Sequence, residues 1–184
     1  MSDKPSYLGL LNAIAVGERR GHAVLSAWRE TTRDPELKDV LNTVAIREEE
    51  HAAAFTKRLC ELGFGVRESA SPEFEESLAA ARSQSSDADK FRSVLGYGKP
   101  EDGGGDPLAR VFDDPTIDPQ TGALLGRFIA EERDSERRLR AACAHVAPAA
   151  GPGASKDDDS LLADIAERID RLSQTLEDLK QLRR

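Results

Sequence analysis

The chain has 184 residues, enough for one bundle of ordinary size and an appendage, and only 5% of them are aromatic while 33% are charged. A formal net charge of −8 argues against nucleic acid and anionic membrane as partners and favours cations. No apolar signal segment opens the chain and no apolar run approaches membrane-spanning length, so the cytoplasm is the expected location.

The abundance of Ala, Leu, Glu and Arg points to an all-α protein. Tyr7, Leu11, Ile14, Glu18, Leu25 and Trp28 recur at helical spacing and form a first apolar stripe, in which Glu18 takes a core-type position. Asp34 is a good N-cap and Pro35 suits a first helical position, so a hairpin turns near Arg33. A second stripe follows: Leu37, Leu41, Val44, Glu48, His51, Phe55, Leu59 and Leu62. Gly63 and Gly65 stop it.

The third helix is weak or broken. Ser71-Pro72 opens a short amphipathic segment with Phe74, Leu78 and Ala81, and residues 89–95 offer another with Phe91, Val94 and Leu95. Between them Ser83-Gln84-Ser85-Ser86 is a poor helix interior. Residues 96–107 read as a long flexible crossover, and residues 108–112 as one or two helical turns. Asp118-Pro119 then caps a further helix with Leu125, Phe128, Glu132, Ser135, Leu139, Ala142 and Val146 on its stripe.

The composition shifts to Ala, Pro and Gly over residues 147–156, a linker between a bundle of residues 1–146 and a C-terminal amphipathic helix of residues 157–184. In that helix Leu162, Ile165, Ile169, Leu172, Leu176 and Leu179 make a coiled-coil-like a/d seam, with Asp157–Asp159 before it and Lys180, Arg183 and Arg184 at its end. Two occupants of the seam are weighed equally: a second copy, giving a homodimer, or the chain's own bundle, by intramolecular docking.

Glu18, Glu48, His51 and Glu132 carry the chemistry. A carboxylate or imidazole on a core-facing stripe needs a partner, and a metal ion takes both as ligands. Glu18 lies 15 residues before the turn and Glu48 15 after it, so the two are expected to face each other at equal height. Glu48 and Glu132 each lie 13 residues past the proline that opens their helix, so all three glutamates should converge at mid-height. Glu49 and Glu50 fall off the stripe and read as solvated, and His22 reads as a helix-surface histidine. Tyr7 and Trp28 read as core aromatics, and Cys60 and Cys143, with no CxxC spacing, as core or half-buried thiols.

A Glu on one helix, Arg47-Glu48-Glu49-Glu50-His51 on the next and Ile129-Ala130-Glu131-Glu132-Arg133-Asp134-Ser135 on a later one resemble the ferritin-like, rubrerythrin-type diiron-carboxylate superfamily over residues 7–146. The resemblance implies an antiparallel four-helix bundle. It also implies an iron centre, as a diiron pair in the superfamily pattern, with manganese the alternative metal. Glu18, Glu48, His51 and Glu132 are the matching ligands. Ser135 stands where a second Glu-x-x-His would place its histidine, and Glu131 with Asp134 is a carboxylate pair one residue out of register. The third-helix ligand is unassigned among Glu75, Asp87 and Asp89.

Two function classes follow. One is a metal-dependent oxidoreductase that oxidises iron or handles oxygen or peroxide. The other is a metal-free helical scaffold that recruits a partner through its C-terminal helix. The glutamates retained on core faces favour the first, and the missing second histidine and broken third helix favour the second. Whether the chain is an enzyme, its substrate and its electron donor are left open.

Overall fold

The computed structural model describes residues 5–98 and 114–146, which form five helices and, among the described residues, no strand. These are α1 (Leu8–Thr31), α2 (Pro35–Glu61), α3 (Pro72–Arg82), α4 (Asp87–Val94) and α5 (Pro119–Val146). The predicted crossover at residues 96–107 beyond Gly98, the helical turns at 108–112, the linker and the C-terminal helix lie outside the described residues. No helix among the described residues is long and apolar enough to cross a membrane.

Local chemistry starts and stops each helix. Asp34 accepts a hydrogen bond from the Leu37 amide at 2.9 Å, with Pro35 at the first helical position, as the sequence predicts. The α3 cap is Ser71, whose hydroxyl accepts from the Phe74 amide at 3.2 Å. Helix α2 ends on Gly63 at φ 84°: the Gly63 amide donates to the Cys60 carbonyl at 2.9 Å and the Phe64 amide to the Leu59 carbonyl at 2.9 Å. These two bonds are a Schellman motif, which needs the left-handed conformation that glycine adopts without strain.

Helices α1 and α2 pack as an antiparallel hairpin, α5 packs on α2, and α3 and α4 bridge α1 to α5. At one end the Tyr7 hydroxyl donates to Asp118 at 2.7 Å, and at the other His145 lies 3.4 Å from Asp34, so α5 runs with α1. The segment after α2 climbs back along α1. Arg20 stacks over Phe74, and the Thr31 hydroxyl donates to the Ala81 carbonyl at 3.0 Å. This segment, residues 62–86, carries the chain from one end of the molecule to the other. Helix α4 then descends from Asp87, which accepts from the Trp28 indole at 2.7 Å, to Tyr97, whose hydroxyl donates to Glu136 at 3.0 Å. The third helix expected from the sequence is therefore two helices running in opposite directions, split at Ser83–Ser86.

The apolar stripes are buried as predicted, but into two separate clusters. One gathers Leu11, Ile14, Phe55, Leu59, Leu125 and Phe128, and the other Leu25, Trp28, Leu37, Leu41, Phe91 and Leu139. On α1, α2 and α5 alike, buried or half-buried polar residues stand between the two clusters: Glu18, Glu48 with His51, and Glu132 with Ser135. Burying one large apolar side chain contributes roughly 1.5–3 kcal/mol, whereas burying an uncompensated carboxylate costs several. A polar layer at mid-height thus lowers the stability of the core unless its charges are compensated there.

Candidate metal centre

Glu18, Glu48 and His51 occupy this layer with 5%, 1% and 4% of their surface exposed, and the Glu132 side chain is 12% exposed. His51 is the hub. Its Nδ1 lies 3.1 Å from Glu18 Oε2 on α1 and 3.6 Å from Glu132 Oε1 on α5. Its Nε2 lies 2.7 Å from Glu131 Oε2. Phe128 packs its ring edge against the imidazole at a centroid distance of 5.1 Å and fixes the ring plane.

One donor atom from each of Glu18, His51 and Glu132 lies within 4.8 Å of the others, which makes a group of three, among the described residues, that could hold an ion. Donors bound to one ion at about 2.1 Å stand roughly 3–3.4 Å apart, so His51 Nδ1 is already close to bonding distance of a shared ion with each carboxylate. The donor chemistry, one imidazole and two carboxylates, suits iron, manganese or zinc. Glu131 completes the arrangement: with an ion at Nδ1, Nε2–H would donate to Glu131, the tautomer in which Nδ1 presents its lone pair to the ion. Arg127 Nε donates to the other Glu131 oxygen at 3.0 Å. Burial works to raise the Glu131 pKa, but the bonds from His51 and Arg127 prevail and hold it below the ordinary carboxylate value.

Glu48 is buried in the same layer but stands outside this group. Its carboxylate lies over Gly21 so closely that a Cβ at Gly21 would come within 1.8 Å of Oε2. The register explains this. Glu18 faces His51 and Gly21 faces Glu48, so the hairpin axis falls between Asp34 and Pro35 instead of at Arg33, and Glu48 sits one turn from the place expected opposite Glu18. The non-helical residues 32–34 and the cap at Asp34 set that offset.

The position of the absent second histidine is filled differently. Ser135 is buried, and Arg47 Nη1 donates to its hydroxyl at 3.2 Å and to Asp134 at 2.8 Å. Asp134 also receives Arg137 and Arg138. Hydrogen bonds from Arg138, then Arg47 and Arg137, keep its carboxyl well below the ordinary range.

None of the three third-helix candidates reaches the layer. Asp87 is held by Trp28 and by the Thr32 hydroxyl at 2.8 Å at the hairpin end, Asp89 pairs with Ser86 and Arg92, and Glu75 is exposed. His22 is half-buried, and its Nδ1–H donates to the Ala45 carbonyl at 2.8 Å across the hairpin. Glu49 and Glu50 are exposed and Tyr7 and Trp28 are buried, as expected. Cys143 is half-buried, but Cys60 is exposed, a correction that follows from its place off the α2 stripe.

Sequence reasoning passed over Arg47 and Glu136 and set Glu131 aside as out of register. The signal for Glu136 was a four-residue step from Glu132, equivalent on a helix to the three-residue step that selects Ser135. Nothing local marks Arg47, whose role depends on which helix lies opposite. No family model, curated protein or solved structure matches the chain.

Proposed function

We propose that the protein is a ferritin-like metal-binding protein that holds iron, with manganese the alternative, through Glu18, His51 and Glu132, and acts as an oxidoreductase toward oxygen or peroxide. In this reading α1, α2, α4 and α5 are the four bundle helices, residues 62–86 with α3 are the crossover, and α4 is a shortened third helix. The observation that carries it is the placement of an imidazole and two carboxylates from three helices around one point, in a buried layer between two apolar clusters. The charges of an acidic layer are then compensated by a cation.

The bound ion would supply Lewis acidity and one-electron redox chemistry. The protein's part is to orient His51 through Glu131 and Phe128, to hold Glu18 and Glu132 beside it, and to exclude bulk water with the apolar clusters above and below.

The metal-free scaffold stays as a second reading because His51 also pairs the carboxylates without an ion. Its two ring nitrogens lie 3.1 Å from Glu18 on α1 and 2.7 Å from Glu131 on α5, so the ring ties three helices together by itself.

Thermal unfolding with and without added Fe²⁺ or Mn²⁺ decides between them. A ligand at a hundredfold excess over its Kd stabilises by about 2.7 kcal/mol, or roughly 5–10 °C for a chain of this size. His51→Gln is expected to abolish the rise. An unchanged melting temperature with either metal favours the scaffold.

A further inference from the structure

The two antiparallel helices α2 and α5 present equivalent positions to each other across the polar layer. On α2, His51 follows Glu48 by three residues and reaches Glu131. On α5, Ser135 follows Glu132 by three residues and is reached by Arg47. The two contacts are the same crossing viewed from opposite helices. In the two-ion pattern an imidazole stands at both positions, one on each side of the shared carboxylates.

At the second position there is a cation that belongs to the protein. The Arg47 guanidinium is fixed there by two bonds from Nη1, to Asp134 at 2.8 Å and to the buried Ser135 hydroxyl at 3.2 Å. Arginine stays charged at any pH at which the protein folds and offers no lone pair, so it cannot share the position with a metal ion. The Glu48 carboxylate lies against Gly21, outside the group of donors that gathers at His51.

Building on the metal-binding reading above, we infer that the centre takes a single divalent ion at Glu18, His51 and Glu132, and that Arg47 fills the place of a second. Two carboxylates and one divalent cation are neutral together, and Arg47 answers Asp134 beside them.

The test uses the full chain and Mn²⁺ alone as the probe, with elemental analysis after equilibrium dialysis and electron paramagnetic resonance of the bound ion. One Mn²⁺ per chain with the six-line signal of an isolated ion is expected. Two per chain, or an exchange-coupled pair signal, overturns the inference and leaves the metal-binding reading standing. No bound Mn²⁺ overturns both. Replacing Arg47→Gln together with Ser135→His removes the cation and supplies the second imidazole, and stoichiometry is expected to rise from one to two. Should circular dichroism show that this pair does not fold, Arg47→Gln alone is used, with a weaker second site expected. A folded variant that still takes one ion overturns the role given to Arg47.

Discussion

At the scale of the residue, Gly21 decides where a buried carboxylate rests. Its missing side chain leaves the space that Glu48 fills, since an added Cβ would come within 2.7 Å of the Glu48 carboxyl carbon. In a helix interior Gly→Ala ordinarily gains about 1 kcal/mol. Here the alanine would push the carboxylate from its buried place, at a cost of about 1–3 kcal/mol for a polar group that loses its surroundings. Gly21→Ala is therefore expected to destabilise the protein by about 1 kcal/mol alone and to stabilise it by about 1 kcal/mol in a Glu48→Ala background. Denaturant unfolding of the four chains measures this reversal of sign. The same gain in both backgrounds would show that Glu48 does not depend on Gly21.

At the scale of the element, one aspartate ties three helices. Asp118 Oδ1 caps α5 by accepting from the Gln120 and Thr121 amides, each at 3.0 Å. Its Oδ2 accepts from Thr121 Oγ1 at 2.6 Å, from the Tyr7 hydroxyl before α1 at 2.7 Å and from Arg58 near the end of α2 at 2.8 Å. These bonds, Thr121 first and Tyr7 next, hold the carboxyl well below its ordinary pKa. Loss of the cap and of the charged bonds makes Asp118→Ala worth about 2–4 kcal/mol of stability. A lowered folded-state pKa stabilises fully above the unfolded value and is lost as pH falls through the folded one. The gap between wild type and Asp118→Ala is thus expected to be full at pH 7 and to shrink below about pH 4. Thermal melts of both chains across that range check it, and a gap independent of pH would contradict it.

At the scale of the whole molecule, the ends are fastened and the middle holds the polar layer. Asp118 clasps one end; Asp87, bonded to Trp28 and Thr32, clasps the other, where buried Lys90 donates to Thr31 at 2.6 Å. Burial lowers the Lys90 pKa, so the unfolded chain holds this proton more tightly than the folded one, and the penalty of burying the charge is relieved as pH rises into the lysine range. The a/d seam that the sequence predicts for residues 162–179 falls outside the described residues, and an apolar face of that kind would need a cover. Light scattering of the full chain and of one truncated after Val146 reads which cover it has. A dimer that becomes a monomer is the expected outcome. A full-length monomer that loses stability on truncation would assign the seam to the chain's own bundle, and no change in mass or stability would release it to another protein.

Periodicity alone revealed the helices on which the centre is built, because a core-facing position recurs every three or four residues whatever the neighbouring helix. Glu18, His51 and Glu132 were legible for that reason, as polar residues standing where Leu, Phe and Val stand elsewhere on their stripes. Which of them meet depends on the register between helices. That register was set by the residues that leave the helix at 32–34, and a shift of one turn replaced Glu48 by His51 opposite Glu18. Arg47 and Glu131 sit beside the stripes and act only across α2 and α5, so no pattern within one helix could select them. Spacing along the chain told which faces are buried, and the three-dimensional packing of α1, α2 and α5 decided which charges those faces bring together.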